Sequence, residues 1–105
     1  MAKDDNYYLS TISENIDFII KYMSHISPAE FTENLVLQDS MMFRLIQISE
    51  NAAKLSAEYL DSRKDVPWTA MKGLRNRIVH DYGSVDLSVV YDTLTQDIPY
   101  LKKIL

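Results

Sequence analysis

The stretch Met41-Met42-Phe43-Arg44-Leu45-Ile46-Gln47-Ile48-Ser49-Glu50-Asn51-Ala52-Ala53-Lys54-Leu55-Ser56-Ala57-Glu58-Tyr59-Leu60 carries two apolar rows at once. Met41, Leu45, Ile48, Ala52, Leu55 and Tyr59 recur at alternating steps of four and three residues, which is the period of a helix face. Met42, Ile46, Ala53, Ala57 and Leu60 form a second row beside them. One row is expected to face the core and the smaller-sided one a second helix, for which a second copy of this chain is the natural candidate. A single wide core face explains the same pattern.

Outward from this stretch the helical period persists. Upstream, residues 28–61 read as one helix with an irregularity near Gln38-Asp39-Ser40, where Asp39 is placed to cap a fresh start. Before it, Leu9, Ile12, Ile16, Ile19 and Met23 predict a first helix over about Asp5 to Met23, widened by Tyr7, Tyr8, Phe18 and Tyr22. Ser27-Pro28 suits a cap followed by a first helical position, and His25 falls in the turn before it with no chemistry assigned.

Downstream, Asp61 to Asp65 is a polar connection, and Pro67 opens a third helix whose apolar face is Trp68, Met71, Leu74 and Ile78. That helix is expected to end near His80 to Tyr82, with Gly83 as a left-handed cap. Asp86 then caps a fourth helix bearing Val90 and Leu94, and Pro99 marks a restart before Leu101 and Leu105. The expected fold is all-α, an up-and-down bundle of four to five helices in one domain over residues 1–105.

Composition agrees with that class and narrows function. Of 105 residues 47% are hydrophobic, with two glycines and three prolines, which favours a packed helical domain over disorder. There is no cysteine, hence no disulfide and no thiol nucleophile. His25 and His80 lack ligand spacing, so no metal site is expected. Without a signal-peptide pattern or an apolar run of membrane length, the chain reads as cytoplasmic.

The net charge of −4 disfavours a general polyanion binder, but its distribution is uneven. Residues 1–40 carry two basic against seven acidic side chains, a net −5, whereas residues 61–80 carry five basic against two acidic, a net +3. A local basic patch draws a polyanion to one place; ordinary scatter on a helical surface gives the same count.

Within that basic region Gly73-Leu74-Arg75-Asn76-Arg77-Ile78-Val79-His80-Asp81-Tyr82-Gly83 crowds polar chemistry into one helix end. Asn76 and His80 lie one turn apart on one face, and Arg75 must curl round to join them. Histidine transfers protons near neutrality, and arginine presents a charged fork that fits phosphate oxygens. Together they suit phosphoryl transfer without a metal or other cofactor. The plainer alternative is an exposed helix terminus whose basic residues complement the C-terminal dipole.

The R-N-x-x-x-H pattern of Arg75, Asn76 and His80, extended by Tyr82, resembles the signature of the HEPN superfamily, and specifically of HepT toxins paired with a minimal nucleotidyltransferase. The resemblance spans nearly the whole chain, including Ile48-Ser49-Glu50-Asn51-Ala52-Ala53 and Val66-Pro67-Trp68; Ser49 stands where members often have glycine. It implies a homodimeric, metal-independent endoribonuclease acting on RNA, with Arg75, Asn76 and His80 catalytic and Glu50 a supporting polar residue. It also implies that the paired nucleotidyltransferase acts as antitoxin by transferring AMP to Tyr82. The competing readings are a non-catalytic helical dimer that binds or presents substrate to a nucleotidyltransferase, and a nucleotide-binding sensor.

Overall fold

The computed structural model describes residues 3–105, and every regular element among them is helical. The first helix, α1, runs Asp5–Met23 as its apolar period predicts, with Asp4 Oδ1 accepting from the Tyr7 N–H at 3.0 Å. Ile12, Ile16, Ile19 and Met23 are buried, Leu9 half-buried, and Tyr7 and Tyr22 exposed.

α1 stops at Ser24, and His25 adopts a left-handed backbone with φ 62°. That conformation crowds a Cβ, and asparagine tolerates it better than histidine does. His25→Asn is therefore expected to raise stability by about 0.5–1 kcal/mol, read as a melting temperature higher by a few degrees.

The single helix expected over residues 28–61 is three. α2 spans Pro28–Glu33, α3 spans Leu35–Ala52 and α4 spans Ala57–Ser62. Ser27 and Glu30 cap α2 reciprocally, and Pro28 takes its first position. The fresh start lies at Asn34 rather than Asp39, because the Asn34 side chain accepts from the Leu37 N–H at 3.0 Å. The buried Gln38 amide then donates to the Phe31 and Thr32 carbonyls, both at 2.9 Å, satisfying acceptors that α2 leaves open. A second break follows Ala52, where Ser56 caps α4 and the Asp5 carboxylate accepts from the Ser56 N–H at 2.8 Å and its hydroxyl at 2.6 Å.

This second break dissolves the smaller apolar row as one face. Met42 is buried, Ile46 is half-buried, and Ala57 and Leu60 belong to another helix.

Beyond the connection, α5 runs Trp68–His80, α6 Leu87–Asp92 and α7 Ile98–Ile104. Gly83 does not supply a left-handed cap, since neither glycine has positive φ. Instead Asp81 N–H bonds the Arg77 carbonyl and Tyr82–Ser84 closes a 3-10 turn. Asp86 caps α6 as expected. Pro99 stands in the first turn of α7, where a restart was expected, and a π-helical turn, Thr93–Asp97, joins α6 to it, with the Ile98 N–H reaching back five residues to the Thr93 carbonyl. The wider turn accommodates a residue with no N–H to donate and a ring that crowds the preceding carbonyls.

Cross-links between helices fix the up-and-down order. Asp5 meets Ser56, and Arg44 donates to Asn15 at 3.2 Å, so α1 and α3 run antiparallel. Arg75 meets Glu50 and Tyr82 meets Asp39, so α3 and α5 do too. Lys102 meets Asp17 at 2.8 Å and Tyr91 meets the Ile26 carbonyl at 2.6 Å, which sets the α6–α7 arm against α1 in the opposite sense. The core between them is Phe31, Met41, Leu45, Ile48, Ile78, Val90 and Leu94 with the α1 stripe. Among the described residues no helix is long and apolar enough to cross a membrane.

Candidate active site

Two stripes of side chains face one another where α3 and α5 pack. On α3, Asp39, Phe43, Ile46 and Glu50 fall at steps of four, three and four, and on α5 Arg75 and Val79 are followed by Tyr82 at steps of four and three. The eleven steps from Asp39 to Glu50 rise about 16 Å, which sets the length of the face they share. An ion pair stands at one end, a phenol–carboxylate hydrogen bond at the other, and apolar side chains between them.

At one end Arg75 is pinned. Its Nε donates to Glu50 Oε1 at 2.8 Å, its Nη2 donates to the same oxygen, and its Nη1 donates to Asn76 Oδ1 at 3.0 Å. Both ion-pair partners are partly covered, with side-chain exposures of 30% for Arg75 and 39% for Glu50. A guanidinium has five N–H donors, so two remain for an incoming anion. Such a doubly held fork keeps one orientation, which is what recognition of a phosphate's paired oxygens requires.

Glu50 is thus the polar partner of the motif. The curl required of Arg75 is realised toward Asn76, but its hydrogen bonds do not extend to His80. His80 is the last residue of α5, one turn beyond Asn76, and is exposed. An exposed imidazole one turn beyond Asn76 is open to substrate.

At the other end Tyr82, in the 3-10 turn, donates its hydroxyl to Asp39 Oδ1. Tyr82 is therefore held apart from the Arg75 cluster rather than in it. Partial burial, and then the hydrogen bond and negative charge of Asp39, push the phenol from its ordinary 10 up to about 12. Because the folded value is the higher one, this contribution is whole below pH 10 and is lost as pH climbs from 10 toward 12. Urea unfolding of wild type and Tyr82→Phe across that window is expected to show a steeper alkaline loss in wild type.

Asp39 is the site residue that the sequence left undetected. Its signal was its eleven-residue separation from Glu50, three turns along one face of α3, but that face is visible only once the helix is known to start at Asn34.

Comparison with known proteins places the chain in a family. A family model described as ribonuclease HepT-like matches residues 12–105. Over 96 residues the chain is 29% identical to a protein of Caldanaerobacter subterraneus subsp. tengcongensis named provisionally as an RNase, a match covering 91% of this chain and 86% of that one. It is 28% identical over 102 residues to a Thermococcus cleftensis protein named probable ribonuclease HepT, covering 97% and 93%. A longer Methanocaldococcus jannaschii protein, named as a gamma-glutamylcyclotransferase and provisionally as an RNase, is 30% identical over 103 residues, which are 98% of this chain and 46% of that one. No solved structure matches significantly.

Proposed function

Because the chain belongs to the HepT-like ribonuclease family within the HEPN superfamily, we propose that it is a metal-independent endoribonuclease acting as a homodimer. The observation that carries this reading is the pinned Arg75, with two N–H donors unspent, one turn and a half before the exposed imidazole of His80. In the reaction a ribose 2′-oxygen attacks the adjacent phosphorus and the 5′-oxygen leaves. The 2′-hydroxyl loses a proton and the 5′-oxygen gains one. Arg75 stabilises the added charge on the non-bridging oxygens, His80 moves the proton, and Asn76 orients the arginine that it touches.

One copy holds one such histidine, whereas the reaction needs a base and an acid. A second copy supplies the other. Exposed apolar side chains along the α3–α5 face, Val36 at 80%, Phe43 at 52% and Val79, support a dimer formed there. The dimer brings two motifs to one seam.

The chain in this reading is the toxin of a pair whose nucleotidyltransferase partner neutralises it by transferring AMP to Tyr82. Tyr82 is half exposed and two residues beyond His80, so a nucleotide attached to it adds bulk and negative charge at the mouth of the same face. A non-catalytic partner-binding module is favoured by one observation, that Glu50 already neutralises Arg75.

Cleavage of mixed cellular RNA in EDTA separates the two. Wild type of unmodified intact mass is expected to cut, and the Arg75→Ala/His80→Ala variant is not. Failure of unmodified wild type to cut assigns the chain to partner binding instead.

A further inference from the structure

Asp39 and Tyr82 lie 43 residues apart in sequence, on different elements, yet the phenol donates to the carboxylate. Both side chains are exposed, so water could satisfy each of them. Tyr91, by contrast, donates to the Ile26 backbone carbonyl and ties α6 to the connection between α1 and α2. The Tyr82 contact ties a three-residue turn to an exposed position of α3 through a group able to accept a proton. The other charged groups close in the chain are His80 and Asp81 at the end of α5.

Resting on the reading of Tyr82 as an AMP acceptor, we infer that Asp39 is the positioning residue and proton acceptor that makes Tyr82 a nucleophile toward the α-phosphate of a nucleoside triphosphate. The Tyr82 oxygen forms a bond to the α-phosphorus, the bond from that phosphorus to the pyrophosphate oxygen breaks, and the phenolic proton passes to Asp39. Pyrophosphate leaves with the bonding pair. A phenol is a weak acid at rest, but its proton becomes strongly acidic as the oxygen gives electrons to phosphorus. Transfer to the carboxylate is then downhill at the point where it is needed.

The contact also explains how the product state differs from the free one. A phosphodiester on Tyr82 has no hydroxyl to donate and carries a negative charge, so it is repelled by Asp39. The adduct therefore loses the bond that holds Tyr82 to α3. One carboxylate thus first holds the acceptor and then expels the modified group.

The experiment is AMP transfer from ATP with Mg²⁺ by the cognate minimal nucleotidyltransferase of the proposed pair, followed by intact mass on wild type, Asp39→Asn and Asp39→Glu. Asparagine keeps an oxygen that the phenol can bond, so it preserves anchoring, but it takes no proton. The expected result is about 10²-fold slower transfer in Asp39→Asn with partial recovery in Asp39→Glu. Wild type is expected to be nearly flat in rate from pH 6 to 9, while Asp39→Asn rises about tenfold per pH unit as only the ionised phenol reacts. Equal rates and equal pH profiles in wild type and Asp39→Asn overturn the inference and leave Tyr82 as acceptor. Absence of any adduct on wild type overturns the acceptor reading itself, and with it the role given to Asp39.

Discussion

His80→Ala is expected to lower RNA cleavage by about 10²–10⁴-fold, the usual contribution of a positioned proton-transfer group, while the helix content and melting curve stay close to wild type. The second half of this expectation follows from where the residue sits. His80 closes α5 with an exposed side chain, and the buried contacts of that helix are made by Leu74 and Ile78. Truncation there opens no cavity, so the change belongs to the range of surface substitutions. Rate and stability are therefore expected to separate cleanly. Cleavage assays beside thermal melts of the same preparations check it: full activity in the variant removes His80 from the mechanism.

How far this site was legible in the sequence depends on what each residue's signal was. The α1 boundaries followed from a five-member apolar stripe, and the structure adds Asp4 as the cap where that period begins. The breaks at Asn34 and after Ala52 escaped because the apolar period runs through them in phase. What ends α2 and α3 is hydrogen bonding by Gln38, Asn34 and Asp5, two of which reach across turns or between elements. The π-helical turn before Pro99 escaped for a related reason, since a proline reads locally as a break while a wider helix can absorb it.

For the site the division is similar. Arg75, Asn76 and His80 were visible as a local pattern, and Arg75 does reach Asn76. Glu50 was visible in the residues as a glutamate beside apolar rows and through the resemblance as a supporting polar residue, and its bond to Arg75 bridges 25 residues. Asp39 was misassigned to a cap, because a single aspartate before a helical run is far more often that than the acceptor of a tyrosine 43 residues away. Contacts that cross elements are set by the α3–α5 register. That register is fixed by core packing, which periodicity reports only to within the choice of face.

The register also governs what Arg75 and Glu50 do together. Arg75→Ala is expected to lower cleavage by about 10²–10³-fold, the cost of removing one pre-oriented donor from a developing oxyanion. Its effect on stability is smaller, within about 1 kcal/mol, since the ion pair is partly solvated on both sides. Arg75→Lys restores little of the rate. A single ammonium cannot hold Glu50 and Asn76 and also present two parallel donors to phosphate. Glu50→Ala leaves the guanidinium charged but free to swing, and about tenfold of the rate is expected to go with that lost orientation. If Glu50 acts only through Arg75, the double variant is no slower than Arg75→Ala alone, since residues sharing one contact do not contribute independently. Single-turnover rates for the four proteins test this directly. A double variant slower than Arg75→Ala by a further factor of ten would give Glu50 a contact of its own with the reacting groups, and the carboxylate would then share the proton-transfer work now assigned to the two histidines of the dimer.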